Sequence, residues 1–301
     1  MISILSASNQ EFANNLSNIE SQLNTDELQI SSGSRMNQVS DDPDQVSELL
    51  QARAAFSASQ QILTNLGGIK AEVDTGETTM ETAVQLFDQV QTLAAEGATG
   101  TQTAATRSNI AQQLQGIEQQ FVGLADTNFE GRYIFSGDSD QTEPYTYDVT
   151  QPDPVSAYLG APSTREALNP NGTTFPIALT AQQIFDSADP TTNVFGAING
   201  LVTALQNNDQ TAVQTSTNGL ATVAQYMNNQ LAFYGTTQDT VASATEYANT
   251  QQTALASEIS SLSGTDVAST ILNMTQVQTD EQAALASYAQ LSHKTLFDFI
   301  A

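Results

Sequence analysis

Few residues in this sequence could do chemistry, and they are scattered. A single histidine, His293, stands near the end of the sequence. One imidazole excludes a multi-histidine metal centre, and in a helical pattern it reads as a surface polar residue. Cysteine is absent, which removes thiolate nucleophiles, disulfides and Cys-ligated metals. Asp41, Asp42 and Asp44 form a carboxylate cluster. Paired carboxylates can serve as general acid and base, but these lie where a helix should begin, and acidic groups there favour the positive end of the helix dipole. Asp138, Ser139, Asp140 and Glu143 outline part of a calcium loop without its third ligand and central glycine. Asn15, Asn171 and Asn273 each open an Asn-X-Ser/Thr sequon. Two of the three fall within proposed packing helices, which argues against glycosylation. The phosphate-loop, dinucleotide, nucleophile-elbow and zinc-protease patterns are missing. No catalytic, metal-binding or cofactor-binding residue is expected, and the chain reads as a structural protein rather than an enzyme.

Composition narrows the partners. Charged residues make up 13% of the 301, about half the usual ~25%, so Ser, Thr, Asn and Gln must build the polar surface. Seven basic and 33 acidic residues give a net charge of −26. Nucleic acid needs clustered Lys and Arg and is not an expected partner. An anionic membrane surface is disfavoured for the same reason. No window approaches 18 consecutive apolar residues, so no membrane-spanning helix is expected. No basic segment followed by an apolar core opens the chain, so no cleaved secretory signal is expected.

The elements that remain are mostly helical. Leu5, Phe12, Leu16, Ile19, Leu23 and Ile30 are spaced by 7, 4, 3, 4 and 7 residues. That is a heptad stripe with turns skipped at Asn9 and Asp26. Such a helix is too poor in apolar area to stand alone. Val267, Ile271, Met274, Val277, Leu285, Tyr288 and Leu291 form a similar stripe near the other end. The two stripes are natural partners, and these residues are expected to form an assembly interface. Between them, Ser40 or Asp41 is expected to cap a second helix with Pro43 in its first turn. That helix continues past Gly67-Gly68 to about Leu93, and a third carries Ile110, Leu114, Ile117, Phe121 and Leu124. From Gly131 the texture changes. Gly131–Gly137 is strand-like, Tyr145–Val149 alternates as a strand would, and six of the eight prolines fall between Gly137 and Thr180. Helical periodicity returns at Val194.

The expected fold is mainly α with a β-rich insertion. It is an elongated rod of long antiparallel N- and C-terminal helices, with a small β lobe at the distal end. Residues 1–40 with 265–301 would form a terminal coiled-coil domain. Residues 41–137 with 191–264 would form a helical rod domain, and 138–190 the outer insertion.

Particular residues then point to a family. Ile30-Ser31-Ser32-Gly33-Ser34-Arg35-Met36-Asn37, followed by Ser40-Asp41-Asp42-Pro43, resembles the N-terminal signature of flagellins and their relatives. The stretch from Leu285 to Phe299 is similar to the paired C-terminal helix of that family. Gly131-Arg132-Tyr133-Ile134-Phe135-Ser136-Gly137 is sharper and resembles the hook-associated protein 3 branch, the hook–filament junction proteins. The signature residues are Ser32, Gly33, Arg35, Asn37, Asp41, Asp42, Pro43, Gly131, Tyr133, Phe135 and Gly137. The resemblance covers both ends and the start of the insertion, and is loose over 145–190. It implies a bacterial flagellar structural protein exported by the flagellar type III pathway without signal cleavage. It implies assembly with other copies of itself, with the first hook-associated protein and with flagellin, and a cytosolic export chaperone. A flagellin, the filament subunit, is the alternative. A ligand-binding or enzymatic module in the insertion, and a coiled-coil adhesin or effector, are readings from other classes.

Overall fold

A computed structural model describes residues 2–38 and 40–290, with side chains placed from Gln10 to Ala289 apart from Val39. It is mainly α with a small β insertion. Among the described residues the helices are α1 (Ile2–Ser32), α2 (Pro43–Gly97), α3 (Ala104–Ala125), α4 (Ala181–Phe185), α5 (Val194–Gln206), α6 (Gln210–Ser263) and α7 (Val267–Gln290). The strands are β1 (Asn128–Phe129), β2 (Arg132–Tyr133), β3 (Glu166–Leu168) and β4 (Thr174–Pro176). They pair as two antiparallel hairpins, with Asn128 opposite Tyr133 and Ala167 opposite Phe175.

The helix starts follow local chemistry. The α2 cap is Asp42, not Ser40 or Asp41: its Oδ1 accepts from the Gln45 N–H at 3.4 Å, and Pro43 takes the first helical position, where no N–H is needed. Thr103 caps α3, Asn193 caps α5, and Thr180 with Gln183 forms a reciprocal capping box on α4. Asp209 receives the Thr211 and Ala212 N–H groups at the head of α6, each at 3.0 Å. Gly67-Gly68 does not interrupt α2. Each glycine costs about 1 kcal/mol against alanine. Burial of Leu66, Val73, Met80, Phe87 and Val90 on the same helix outweighs that.

The chain forms two compact units, one of residues up to Ala58 with those from Gln251 on, the other Ser59–Thr250. In the second, α2, α3, α5 and α6 enclose one large core. Phe121 packs edge-on against Phe87 and Phe185, and Tyr145 sits edge-on to Phe195. Arg107 is buried with no carboxylate partner among the described residues. Its guanidinium donates instead to the carbonyls of Gly97 and Thr99 and to the side chains of Asn208 and Gln210, tying the α2–α3 turn to the α5–α6 turn.

The insertion holds less strand than its alternation suggests. Tyr145–Val149 is not a strand; a single bridge joins Tyr147 to Val155. Pro144, Pro152 and Pro154 have no N–H to donate to a ladder, and Tyr145 is drawn into the aromatic core.

Candidate assembly interface

In the first unit, α1 and α7 pack antiparallel. The Phe12 and Tyr288 rings stack with centroids 4.1 Å apart at one end of the pair. Towards the other end, the Asn273 Nδ2 donates to Asp26 Oδ2 at 3.0 Å. On α1, Phe12, Leu16, Ile19, Leu23 and Ile30 are half-buried. On α7 the covered positions are Thr270, Met274, Val277, Glu281, Ala284 and Tyr288. They recur every three or four residues, the period of a coiled-coil seam.

This seam differs from the α7 stripe read from the sequence. Met274 and Tyr288 face α1, but Val267, Ile271 and Leu285 do not; they remain 41%, 45% and 46% exposed. The helix therefore carries two thin apolar faces. Asp26, where the stripe skips an apolar turn, is a polar seam position, 2% exposed, with its other oxygen accepting from Gln22 Nε2 at 3.2 Å. The side chain of Leu5, together with Leu291 and His293, lies outside the described residues.

The Ser32–Pro43 segment ties α1 to the start of α7 and the end of α6. Gly33 leaves α1 at φ +66°, a left-handed conformation that suits glycine. Its carbonyl accepts from Thr265 N–H at 3.2 Å, and Ser34 forms a bridge with Gly264. The Arg35 N–H donates to Ser263 O at 2.7 Å, while its guanidinium reaches Leu262 O at 3.1 Å and the Asp42 carboxylate at 3.4 Å. Asp41 Oδ2 receives the Asn37 and Gln38 N–H groups at 2.9 and 2.7 Å, and Asn37 Nδ2 returns to Ser34 O. Ser32 Oγ donates to Leu28 O at 2.6 Å, closing the last turn of α1. So Ser32, Gly33, Arg35, Asn37, Asp41, Asp42 and Pro43 are the parts of one hydrogen-bonded corner.

Gly131–Gly137 forms a second one. Glu130 and Gly131, both at positive φ, turn β1 into β2. Tyr133 N–H donates to Asp140 O and its hydroxyl to Glu143. Phe135 is fully buried, edge-on to Tyr234, and its carbonyl accepts from Ala181 N–H and the Tyr158 hydroxyl. Gly137 sits at φ +62°, where a Cβ would come within 2.3 Å of Ala161 O and 2.5 Å of Ser163 O. Backbone atoms cannot yield that distance, so only glycine fits. Asp138 accepts from Ser163 and Asp140 Oδ1 from Gln141, so these carboxylates serve the loop separately.

Three acids of the second unit are at least partly covered, and burial raises two of them, Glu118 and Asp126. Glu72 is almost fully covered and pairs with Arg165, with Arg132 at 3.8 Å. Glu118, on α3, is 1% exposed, and neither carboxylate oxygen has a hydrogen-bond partner. Burial, with Asp153 close by, pushes its carboxyl up to about 7. The Tyr147 hydroxyl opposes this weakly and donates to Gln115 O at 3.1 Å. Burial also raises Asp126 to about 6, against the pull of the Tyr145 N–H. The Tyr145 hydroxyl is buried without a partner and held well above the usual phenol range by desolvation. Among the described residues, no group of three or more His, Asp or Glu side chains converges to hold a metal.

Comparison with known proteins fits this geometry. Residues 2–140 match the family described as the bacterial flagellin N-terminal helical region. The matched segment makes the chain similar to flagellins over its N-terminal part, and the antiparallel terminal helices are in keeping with that likeness. The chain is also similar to flagellar hook-associated protein 3 of Escherichia coli (strain K12). That relative is 23% identical over 89% of this chain and 90% of its own length. Its fold is shared with a flagellar hook-associated protein from Vibrio parahaemolyticus, with a TM-score of 0.64 and 20% identity over 74% of this chain and 100% of that one. It is also shared with the flagellar junction protein FlgL from Legionella pneumophila, with a TM-score of 0.50 and 12% identity over 67% of this chain and 99% of that one.

Proposed function

We propose that this chain is a structural subunit of the bacterial flagellum that joins the hook-associated zone to the flagellin filament and catalyses no reaction. The likeness to hook-associated protein 3 over nearly the whole length supports the junction role. One observation carries the assembly mechanism: after α1 and α7 pair, Val267, Ile271 and Leu285 stay exposed on one side of α7. That apolar face is available to neighbouring copies. Head-to-tail contacts that do not close on themselves generate open helical tubes.

In this reading residues 1–40 and 265–301 are the assembly domain, 41–137 and 191–264 the helical rod, and 138–190 the outer insertion. The assembly interface comprises Leu5, Phe12, Leu16, Ile19, Leu23 and Ile30 with Val267, Ile271, Met274, Leu285, Tyr288 and Leu291. The partners are further copies of the chain, the first hook-associated protein and flagellin, and a cytosolic chaperone holds the C-terminal region before export. The protein leaves the cell through the flagellar type III pathway without signal cleavage and resides at the hook–filament junction.

Deletion of the gene followed by electron microscopy is the test. Hooks without filaments, together with secreted flagellin monomers in the medium, are the expected result. Normal filaments on the deletion strain would overturn the junction role. Spontaneous growth of the purified protein into long filaments would assign it to the filament instead.

A further inference from the structure

The α1–α7 seam is apolar except at a few places, and Asp26 is the most deeply covered of them. A carboxyl group in a helix seam must be hydrogen-bonded or it destabilises the pair. Asp26 has two donors, Gln22 from its own helix and Asn273 from α7. Neither helix carries a Lys or Arg that could neutralise it elsewhere along the seam.

An antiparallel pair with a repeat of seven can slip by one heptad and still place apolar residues together. The sequence opposite Asp26 makes both slips costly. In the observed register Asp26 meets Asn273. A slip of one heptad in one direction sets it against Asp280, with Glu281 beside it in the seam. A slip in the other direction sets it against Asp266, whose Oδ1 already receives the Ala268 and Ser269 N–H groups at the head of α7. Either slip replaces the Asn273 amide donor opposite Asp26 with a second carboxyl group.

We propose that Asp26, read by Asn273 and opposed by Asp266 and Asp280, is the residue that fixes the register of the terminal helix pair. A single polar seam position that selects one alignment at some cost in stability is an established device in helix pairs. The Ser34–Gly264 bridge holds the same alignment at the corner; Asp26 enforces it along the helices. The inference concerns folding specificity and stands whether or not the chain is a junction subunit.

The chain contains no cysteine, so disulfide trapping has no background. Leu23→Cys is combined with Val277→Cys to report the observed register, with Ala284→Cys to report the slip towards Asp280, and with Thr270→Cys to report the slip towards Asp266. Each pair is made in the full-length protein, with native Asp26, with Asp26→Leu and with Asp26→Asn, and oxidised as a dilute monomer. With Asp26, only the 23–277 disulfide should form. Asp26→Leu should add a slipped disulfide in at least a tenth of molecules. Asp26→Asn, which can still hydrogen-bond Asn273, should keep the 23–277 bond dominant. If Asp26→Leu yields the 23–277 bond alone, the corner sets the register and the proposal fails. Slipped bonds with native Asp26, or no 23–277 bond in any variant, would overturn it as well.

Discussion

Replacing Glu118 by Gln should make the protein more stable at pH 8 and leave it nearly unchanged at pH 4.5. The reasoning starts from a carboxyl group that is 1% exposed with both oxygens unpartnered. Its proton is held up to about 7, against 4.5 for the ordinary group, chiefly by burial and then by Asp153. The folded state therefore binds this proton more tightly than the unfolded chain does. The stability it supplies is present in full below pH 4.5 and is lost as pH rises towards 7, where the buried group becomes charged. The full swing is about 3 kcal/mol, from roughly 1.4 kcal/mol per pKa unit. Gln keeps the shape and never ionises, so that swing should disappear from the variant. Asp126 is raised in the same direction, so a smaller slope of the same sign should remain. Urea unfolding followed by tyrosine fluorescence, from pH 4.5 to 8.5, measures this, since seven of the eight tyrosines lie between residues 59 and 250. Glu118→Leu, which removes the polar atoms altogether, should gain at least as much at pH 8. Identical pH slopes for wild type and both variants would refute the reasoning.

Other substitutions test other joints of the structure. Arg165→Met strips Glu72 of its nearer cation while Arg132 stays at 3.8 Å; a loss of roughly 3 kcal/mol is expected in the same urea assay, because one half of a buried pair is left behind. Gly137→Ala forces a Cβ to 2.3 Å from Ala161 O at a left-handed φ, and thermal unfolding should show a cost of about 2 kcal/mol or more. Ile271→Asp acts on the exposed α7 face, so monomer stability should move by less than about 0.5 kcal/mol while incorporation into flagella, scored by motility and immunogold labelling, is lost. Leu16→Asp acts in the seam, so it should lower both monomer helix content by circular dichroism and incorporation.

Much of this architecture is legible in the sequence because its signals are local. The Ser32–Pro43 corner is built from side chains that bond the backbone within a few residues: Asp41 to 37 and 38, Asp42 to 45. Among the adjacent candidates for the α2 cap, spacing does not single out Asp42. Gly131–Gly137 reads as an irregular, glycine-bounded run for an equally local reason. What escaped the sequence depends on contacts distant along the chain. Glu118 lies next to Ile117 on a helix whose periodicity is clear, yet the loop bearing Tyr147 and Asp153 covers it from about thirty residues on. Tyr145–Val149 alternates correctly, but core packing and nearby prolines override the pattern.

The offset between the α7 hydrophobic stripe and the strip that α1 covers has a more specific origin. Hydrophobicity alone groups Val267, Ile271, Met274 and Leu285, and these do share one side of an ideal helix. The helix that α7 meets is narrow, so α1 covers only an adjacent strip that also includes Thr270, Glu281 and Ala284. Two of those are polar and one is small, so they add little to a hydrophobic pattern. A seam made this way is poor in apolar area, and its flanks lack the Glu–Lys pairs that support isolated coiled coils. The leftover face of Val267, Ile271 and Leu285 needs a partner that α1 does not provide. If neighbouring copies supply it, helix content should rise on assembly, because packing an exposed apolar face is what stabilises a polar helix. Circular dichroism of monomer against polymer measures that rise. Equal helix content in the two states would show that the intrachain pair is already complete, and that its second apolar face has no bearing on order.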